Sequence, residues 1–135
     1  MTQRRILIVD DENHLRGLVQ VCLEDLGGWD TLTAASGEEC LQILQTQSIQ
    51  AILLDVSMPG MDGMAVYEQL QANPNTQAIP VVLLTAQVLP SDRARFTQMG
   101  VAGVISKPIE PMALTTEIAE ILGWESQLSI PPALS

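Results

Sequence analysis

Short apolar runs and helix-like segments alternate along most of this 135-residue sequence, and this alternation constrains the fold more than any other feature. Five runs predict strands: Ile6–Val9, a weaker Trp29–Ala35, Ala51–Leu54, Ile79–Leu84 and Val101–Ile105. Parallel strands that are buried on both faces have this near-continuous apolar character, and each needs a crossover to reach the next. The alternation therefore predicts a doubly wound α/β domain with five parallel strands.

Segments with helical periodicity separate the predicted strands. The clearest one places apolar residues at the i, i+3, i+4, i+7 spacing from Leu15 to Leu26, and it should end at Gly27 and Gly28. Four further helices are predicted: Glu38–Gln47 behind Ser36, Gly63–Ala72 behind Asp62, one from Pro90 or Ser91 to Gly100, and one from about Glu110 to Leu122. These helices supply the crossovers that a parallel sheet requires.

Composition and charge limit the classes of function. A chain of this length with 47% hydrophobic residues fits a single domain with its own core. Its formal charge of −10 should repel nucleic acid and anionic membranes, so direct binding to either is not expected. No apolar stretch approaches the ~20 residues of a membrane span, and the N-terminus lacks a signal-peptide pattern. We therefore predict a soluble, cytoplasmic protein.

The C-terminal residues 124–135 contain two prolines and show no periodicity. We predict a domain over residues 1–123, followed by a tail or the start of a linker. Trp124 is expected to pack on the last helix.

The two cysteines, Cys22 and Cys40, occupy apolar positions of separate predicted helices. A free buried cysteine behaves as a small hydrophobic residue, so core packing is the favoured interpretation. A redox pair would show a Cys-x-x-Cys spacing or an exposed thiol near positive charge. A disulfide between the two remains an alternative.

Polar residues stand at the carboxyl ends of four predicted strands, the edge at which doubly wound sheets bind ligands. They are Asp10, Asp11 and Glu12, then Asp55, then Thr85, then Ser106 and Lys107. Each could simply cap a helix, but carboxylates gathered on one rim repel one another unless positive charge is bound. Mg²⁺, which prefers oxygen ligands, would supply that charge. Lys107 is the single lysine, and it could contact a phosphate or pair with a carboxylate.

Four segments resemble the signature blocks of bacterial response-regulator receiver domains, in matching order and spacing. They are ILIVDDE at 6–12, LDVSMPGMDG at 54–63, LTA at 84–86 and SKP at 106–108. The resemblance covers roughly residues 4–122. It implies a flavodoxin-like sheet with strand order 2-1-3-4-5, helices on both faces and a signalling role without enzymatic activity beyond self-phosphorylation and autodephosphorylation.

The resemblance also implies a role for each matched residue. Asp55 would be the phosphoacceptor; Asp10, Asp11, Asp55 and the Ser57 backbone carbonyl would be ligands of Mg²⁺ or Mn²⁺; Thr85 and Lys107 would contact the phosphate. The donor would be a histidine kinase or a phosphotransfer protein. The bond between Lys107 and Pro108 is typically cis in the family, which proline permits.

Some variable positions bear on the output. Many receivers carry an aromatic residue or histidine three positions before the lysine, where this chain has Val104, so we expect the signal to pass through the Thr85 loop instead. Ser57 and Gln87 occupy positions that tune phosphate lifetime. The surface of the fourth helix, fifth strand and fifth helix should bind a downstream protein, the chain's own output domain or a second copy, with Arg93 and Arg95 as charged contacts.

Three other classes fit parts of the sequence. A haloacid-dehalogenase-type aspartyl phosphatase would need a second Asp two positions after Asp10, where Glu12 stands, and an acidic pair after Lys107. A pseudo-receiver that serves only as a contact module is disfavoured, because all five residues expected to carry the chemistry are present: Asp10, Asp11, Asp55, Thr85 and Lys107. A nucleotide-binding domain would need a glycine-rich turn after the first strand, where Asp-Asp-Glu stands.

Overall fold

The computed structural model describes residues 4–56, 62–86 and 89–124 of the chain. Within them the strands are β1 (Arg5–Val9), β2 (Asp30–Ala34), β3 (Ala51–Asp55), β4 (Val81–Thr85) and β5 (Gly103–Ser106). The helices are α1 (Asn13–Val21), α2 (Gly37–Thr46), α3 (Gly63–Ala72), α4 (Pro90–Met99) and α5 (Pro111–Leu122), and a π-helical turn at Cys22–Leu26 continues α1. Every predicted strand and helix is therefore present.

The strands form one parallel sheet in the order β2-β1-β3-β4-β5. The central strands β1, β3 and β4 are almost entirely buried, because helices cover both faces of the sheet. Helices α1 and α5 pack on one face, and α2, α3 and α4 pack on the other. The predicted doubly wound, flavodoxin-like α/β fold is confirmed.

Capping residues explain where the helices begin and end. The Ser36 hydroxyl accepts a hydrogen bond from the Glu39 backbone N–H at 3.1 Å and so caps α2. Asp62 Oδ1 accepts one from the Ala65 backbone N–H at 2.9 Å and caps α3. Helix α4 is followed by Gly100 with a φ of 97°, a left-handed conformation that favours glycine. The helix boundaries accordingly agree with prediction to within about a residue.

The first helix differs from a regular α-helix in its last turn, which has π geometry over Cys22–Leu26. The buried Thr115 of α5 donates a hydrogen bond from its hydroxyl to the Cys22 carbonyl at 3.1 Å. The helix ends at Gly27, as predicted, where an added Cβ would lie only 2.9 Å from the Trp29 ring. Contact with α5 therefore accompanies the widened turn, and helical periodicity does not reveal that contact.

Both cysteines are buried core residues, as predicted. Cys22 lies in the core cluster on the α1 and α5 side of the sheet, and Cys40 lies in the cluster on the opposite side. Both are free thiols, and the sheet between them excludes a disulfide. Burial raises the pKa of both, that of Cys40 to about 12.

Trp124, the last described residue, packs against the core rather than standing apart from it. Its ring meets the Trp29 ring edge-on, with the centroids 5.4 Å apart, and the Arg4 guanidinium lies 4.8 Å from its centroid. The Trp124 backbone N–H also donates to the Ala119 carbonyl of α5. The predicted tail lies otherwise outside the described residues, and the domain boundary at 123 stays a prediction.

The helices are short and amphipathic or polar on part of their surface. Across the described ranges, none is both long enough and apolar enough to cross a bilayer.

Candidate functional site

The parallel strands bring four of the predicted site residues to one edge of the sheet. Asp55 and Thr85 are the last residues of β3 and β4, and Asp10 and Lys107 directly follow β1 and β5. Since β3 lies between β1 and β4, the ends of these strands are neighbours. Asp10, Asp55 and Thr85 are only 2–3% exposed. The site is therefore a buried polar cluster at the rim of an apolar sheet.

Three carboxylates converge in this cluster. One oxygen from each of Asp10, Asp11 and Asp55 lies within 4.8 Å of the other two, with Asp11 exposed and the other two buried. Carboxylates this close repel one another unless a positive charge relieves them. Two oxygens on one hard cation, each about 2.0–2.6 Å from it, lie no more than about 5 Å apart. The spacing is thus compatible with one shared divalent cation.

The Asp10 carboxylate has an unsatisfied oxygen that fits the same conclusion. Its Oδ1 accepts a hydrogen bond from the Glu12 backbone N–H at 2.9 Å, whereas its buried Oδ2 has no hydrogen-bond partner among the described residues. Burial raises the pKa of Asp10; the Glu12 N–H and Lys107 oppose this, and the charges of Asp55 and Asp11 add to it. A buried acceptor without a donor is costly, and a cation ligated by Oδ2 would remove that cost.

Lys107 places a positive charge directly against the carboxylate of Asp55. Its Nζ lies 2.9 Å from Asp55 Oδ1 and forms an ion pair with it. The Lys107 backbone N–H donates to the Thr85 carbonyl at 2.8 Å, and the peptide bond to Pro108 is cis, as the resemblance implies. Of the two alternatives for this lysine, pairing with a carboxylate is the one observed.

Two supporting residues outside the predicted site hold its backbone. Gly63 begins α3 and donates from its N–H to the Val56 carbonyl at 3.0 Å; a Cβ there would lie 2.7 Å from Val56 Cα and nearer still to the Asp55 carbonyl oxygen. Arg16 of α1 donates from Nη1 to the Asp10 carbonyl at 2.7 Å. In the sequence, the glycine at the first position of a helix is the one local signal of the Gly63 contact. No local pattern indicates the contact from Arg16 to the Asp10 carbonyl.

Two predicted tuning positions, Ser57 and Gln87, lie outside the described residues, so the predicted metal ligand at the Ser57 carbonyl stays a prediction. Val104 of β5 is partly buried and packs against the core cluster on the α2, α3 and α4 side. It therefore serves as a core residue on the strand that leads to Lys107.

The two arginines predicted as charged contacts of the partner face lie in different environments. Arg93 Nη2 donates to the Ser106 hydroxyl at 2.8 Å and so joins α4 to the end of β5. Arg95 lies 3.8 Å from Asp92 on its own helix, and its side chain is 58% exposed. An exposed pair of this kind contributes little to stability, so Arg95 remains available for an intermolecular contact.

The fold and this site define a class of doubly wound domains that carry an acidic cluster and a lysine at the carboxyl edge of a five-stranded parallel sheet. The family described as response regulator receiver domain matches residues 6–119. The chain therefore belongs to the response-regulator receiver family, which is a non-enzymatic module of two-component signalling.

Individual relatives agree with this assignment. A probable transcriptional regulator, ycf27, of Cyanidium caldarium is 38% identical over 120 residues, which are 89% of this chain and 47% of that protein. The chain spans about half the length of the curated relatives that it matches. Its structure resembles that of the chemotaxis protein CheY4 of Vibrio cholerae with a TM-score of 0.81 and 28% identity, covering 89% of this chain and 99% of that one.

A second solved structure bears on the acidic cluster. The receiver domain of a sensor histidine kinase from Pseudomonas aeruginosa PAO1 is 25% identical, with a TM-score of 0.77, and the match covers 90% of this chain and 99% of that one. A magnesium ion is coordinated in the active site cleft of that protein.

Proposed function

We propose that this chain accepts a phosphoryl group on Asp55 and signals through the change in its surface that follows. The observation that carries the proposal is the convergence of three carboxylates around Asp55, with the Lys107 ammonium 2.9 Å from its Oδ1. A carboxylate nucleophile needs nearby positive charge to reduce repulsion from an incoming phosphoryl group. In this cluster Lys107 supplies one positive charge, and the carboxylates can hold a metal ion that supplies more.

Asp10, Asp11 and Asp55 would hold the metal ion, with the Ser57 backbone carbonyl as a further ligand. Mg²⁺ is the expected ion, with Mn²⁺ as a substitute, because every proposed ligand is a hard oxygen and a few carboxylates with water complete its coordination. The unpartnered Asp10 Oδ2 and the magnesium ion of the Pseudomonas neighbour both support this choice. When bound, the ion neutralises charge on the transferring phosphoryl oxygens.

The chain's own residues would perform the transfer. A carboxylate oxygen of Asp55 attacks phosphorus and forms the O–P bond while the P–N bond of the donor phosphohistidine breaks, its electron pair remaining on the histidine. Lys107 already lies against Asp55 and turns to the new phosphoryl oxygens, which carry about −1.5 to −2 of charge in place of the single negative charge of the carboxylate. The Thr85 hydroxyl at the adjacent strand end donates to one of them and draws its loop inward.

Membership of the receiver family indicates the classes of protein that would be its partners. A histidine kinase or a phosphotransfer protein would supply the phosphoryl group, and a downstream protein, an attached output domain or a second copy would bind the α4-β5-α5 face. Arg93 of α4 donates to the Ser106 hydroxyl at the end of β5 within this face, and Arg95 of the same helix has an exposed basic side chain. The cytoplasmic location expected from the sequence suits such partners.

The test is phosphorylation by a small phosphodonor with Mg²⁺, followed by intact mass spectrometry. Wild type should gain one phosphoryl group, and Asp55→Asn or addition of EDTA should abolish the gain. Thr85→Ala is a useful companion because it keeps the acceptor and should still be phosphorylated. A wild type that gains no mass would refute the proposal. Turnover of a phosphate ester that Asp10→Asn abolishes and Asp55→Asn spares would establish the aspartyl phosphatase alternative instead.

A further inference from the structure

The connection between β1 and α1 carries two of the clustered carboxylates, and Arg16 reaches back across it from the first turns of the helix. Its Nη1 donates to the Asp10 carbonyl oxygen at 2.7 Å, and its Nη2 donates to Asn13 Oδ1. Its backbone N–H donates to the Glu12 carbonyl at 3.0 Å. The guanidinium therefore joins the end of the strand to the beginning of the helix, with the loop held between them.

These bonds complete the fixation of Asp10. Its backbone N–H donates to Ala34 of β2 at 3.1 Å, and its side-chain Oδ1 accepts from the Glu12 N–H at 2.9 Å. The bond from Arg16 holds the remaining backbone group, the carbonyl. Because that carbonyl and the N–H of Asp11 belong to one planar peptide unit, holding it sets the direction in which the chain leaves toward the Asp11 side chain.

We propose that Arg16 is a positioning residue for the cation site, and that it sets the orientation of the Asp11 carboxylate relative to Asp10 by holding the peptide unit between them. This inference rests on the function proposed above, since it concerns the same metal ligands. Outer contacts that orient metal ligands commonly contribute a factor of about 10–100 to metal affinity. Arg16 makes such a contact through the backbone rather than through a ligand side chain.

The effect should come from the shape of the guanidinium more than from its charge. An arginine presents several donors in a rigid plane, and here two of them reach different acceptors on either side of the loop. A lysine at this position keeps the charge but offers a single ammonium on a flexible stem. Burial raises the pKa of the Asp10 carboxyl, and the positive charge of Lys107 opposes that rise. Arg16→Lys should therefore rescue metal binding poorly.

Calorimetric titration of Mg²⁺ into the metal-free full chain tests this directly. Arg16→Met should weaken the Mg²⁺ Kd by about 10-fold, and Arg16→Lys should stay closer to the Met variant than to wild type. Arg5→Met is the matched control: Arg5 lies at the opposite end of β1, pairs with Asp30 at 3.3 Å, and its loss should change the Kd by less than about twofold because salt screens its charge.

Phosphorylation by a small phosphodonor gives a second readout that a general loss of structure would not reproduce. For Arg16→Met, the Mg²⁺ concentration for half-maximal rate should rise in proportion to the Kd, while the rate at saturating Mg²⁺ stays near that of wild type. A Met variant with wild-type Mg²⁺ affinity would overturn the positioning role and leave the proposed function intact, and full rescue by lysine would refute the role of the guanidinium plane. A wild type that binds no Mg²⁺ would overturn both proposals.

Discussion

Replacing Gly63 by alanine should destabilise the domain and displace the acceptor end of β3. The new Cβ would lie 2.7 Å from Val56 Cα and 3.0 Å from the Asp55 carbonyl carbon, and both are backbone atoms. A flexible side chain could move away, but β3 is buried on both faces and paired on both edges. Helix α3 must therefore shift away from the residue proposed to accept the phosphoryl group.

The magnitude follows from two opposing effects. Overpacking at a rigid site costs about 1–3 kcal/mol, whereas alanine in place of glycine in a helix gains at most about 1 kcal/mol. We therefore expect Gly63→Ala to lose about 1–2 kcal/mol of unfolding free energy, which lowers Tm by several degrees in a domain of this size. Its rate of phosphorylation should fall as well, because the Asp55 backbone is part of the clash.

Gly17 offers a matched control with the same chemical change. It lies on α1, is exposed, and an added Cβ would meet nothing within 4 Å. Gly17→Ala should therefore raise the unfolding free energy by about 0.5–1 kcal/mol. Urea unfolding measures the unfolding free energy of both variants, and the two values are compared on the condition that the m-values are equal. Gly63→Ala as stable as wild type, or Gly17→Ala equally destabilised, would refute the reasoning.

Three further predictions concern other buried or partly buried groups. Burial raises the folded-state pKa of Asp10, so ionisation of this carboxyl near neutral pH lowers the stability of the metal-free protein. In EDTA, wild type should therefore have a lower Tm than Asp10→Asn at about pH 7, and the difference should shrink toward about pH 4. A constant difference would contradict this. Cys22 and Cys40 should resist thiol reagents at about pH 8 in the native state and both react in urea; rapid native labelling would count against their burial. Trp124→Ala should cost about 1–3 kcal/mol, measured by urea unfolding, because it removes the ring contact with Trp29; no loss would place Trp124 outside the folded unit.

The alternation of apolar runs and helical segments determines the fold at the level of the sequence. A five-residue run such as Ala51–Asp55 is buried throughout only if helices cover both faces of a parallel sheet. The same topology places strand ends together, so the carboxylates at the ends of β1 and β3 and the lysine after β5 could be assigned to one site. The caps of α2 and α3 could also be predicted from the sequence, because Ser36 and Asp62 accept hydrogen bonds from the first turns of their own helices.

Only the tertiary structure decided which individual atoms meet between elements. Three contacts between different elements illustrate this: the hydrogen bond from Thr115 to Cys22, the approach of Gly63 to the Asp55 carbonyl and the packing of Trp124 on Trp29. Hydropathy and spacing predict which face is buried, but not the position and angle at which two faces pack. Those depend on the close fit of all side chains in the core, which no single segment of sequence encodes.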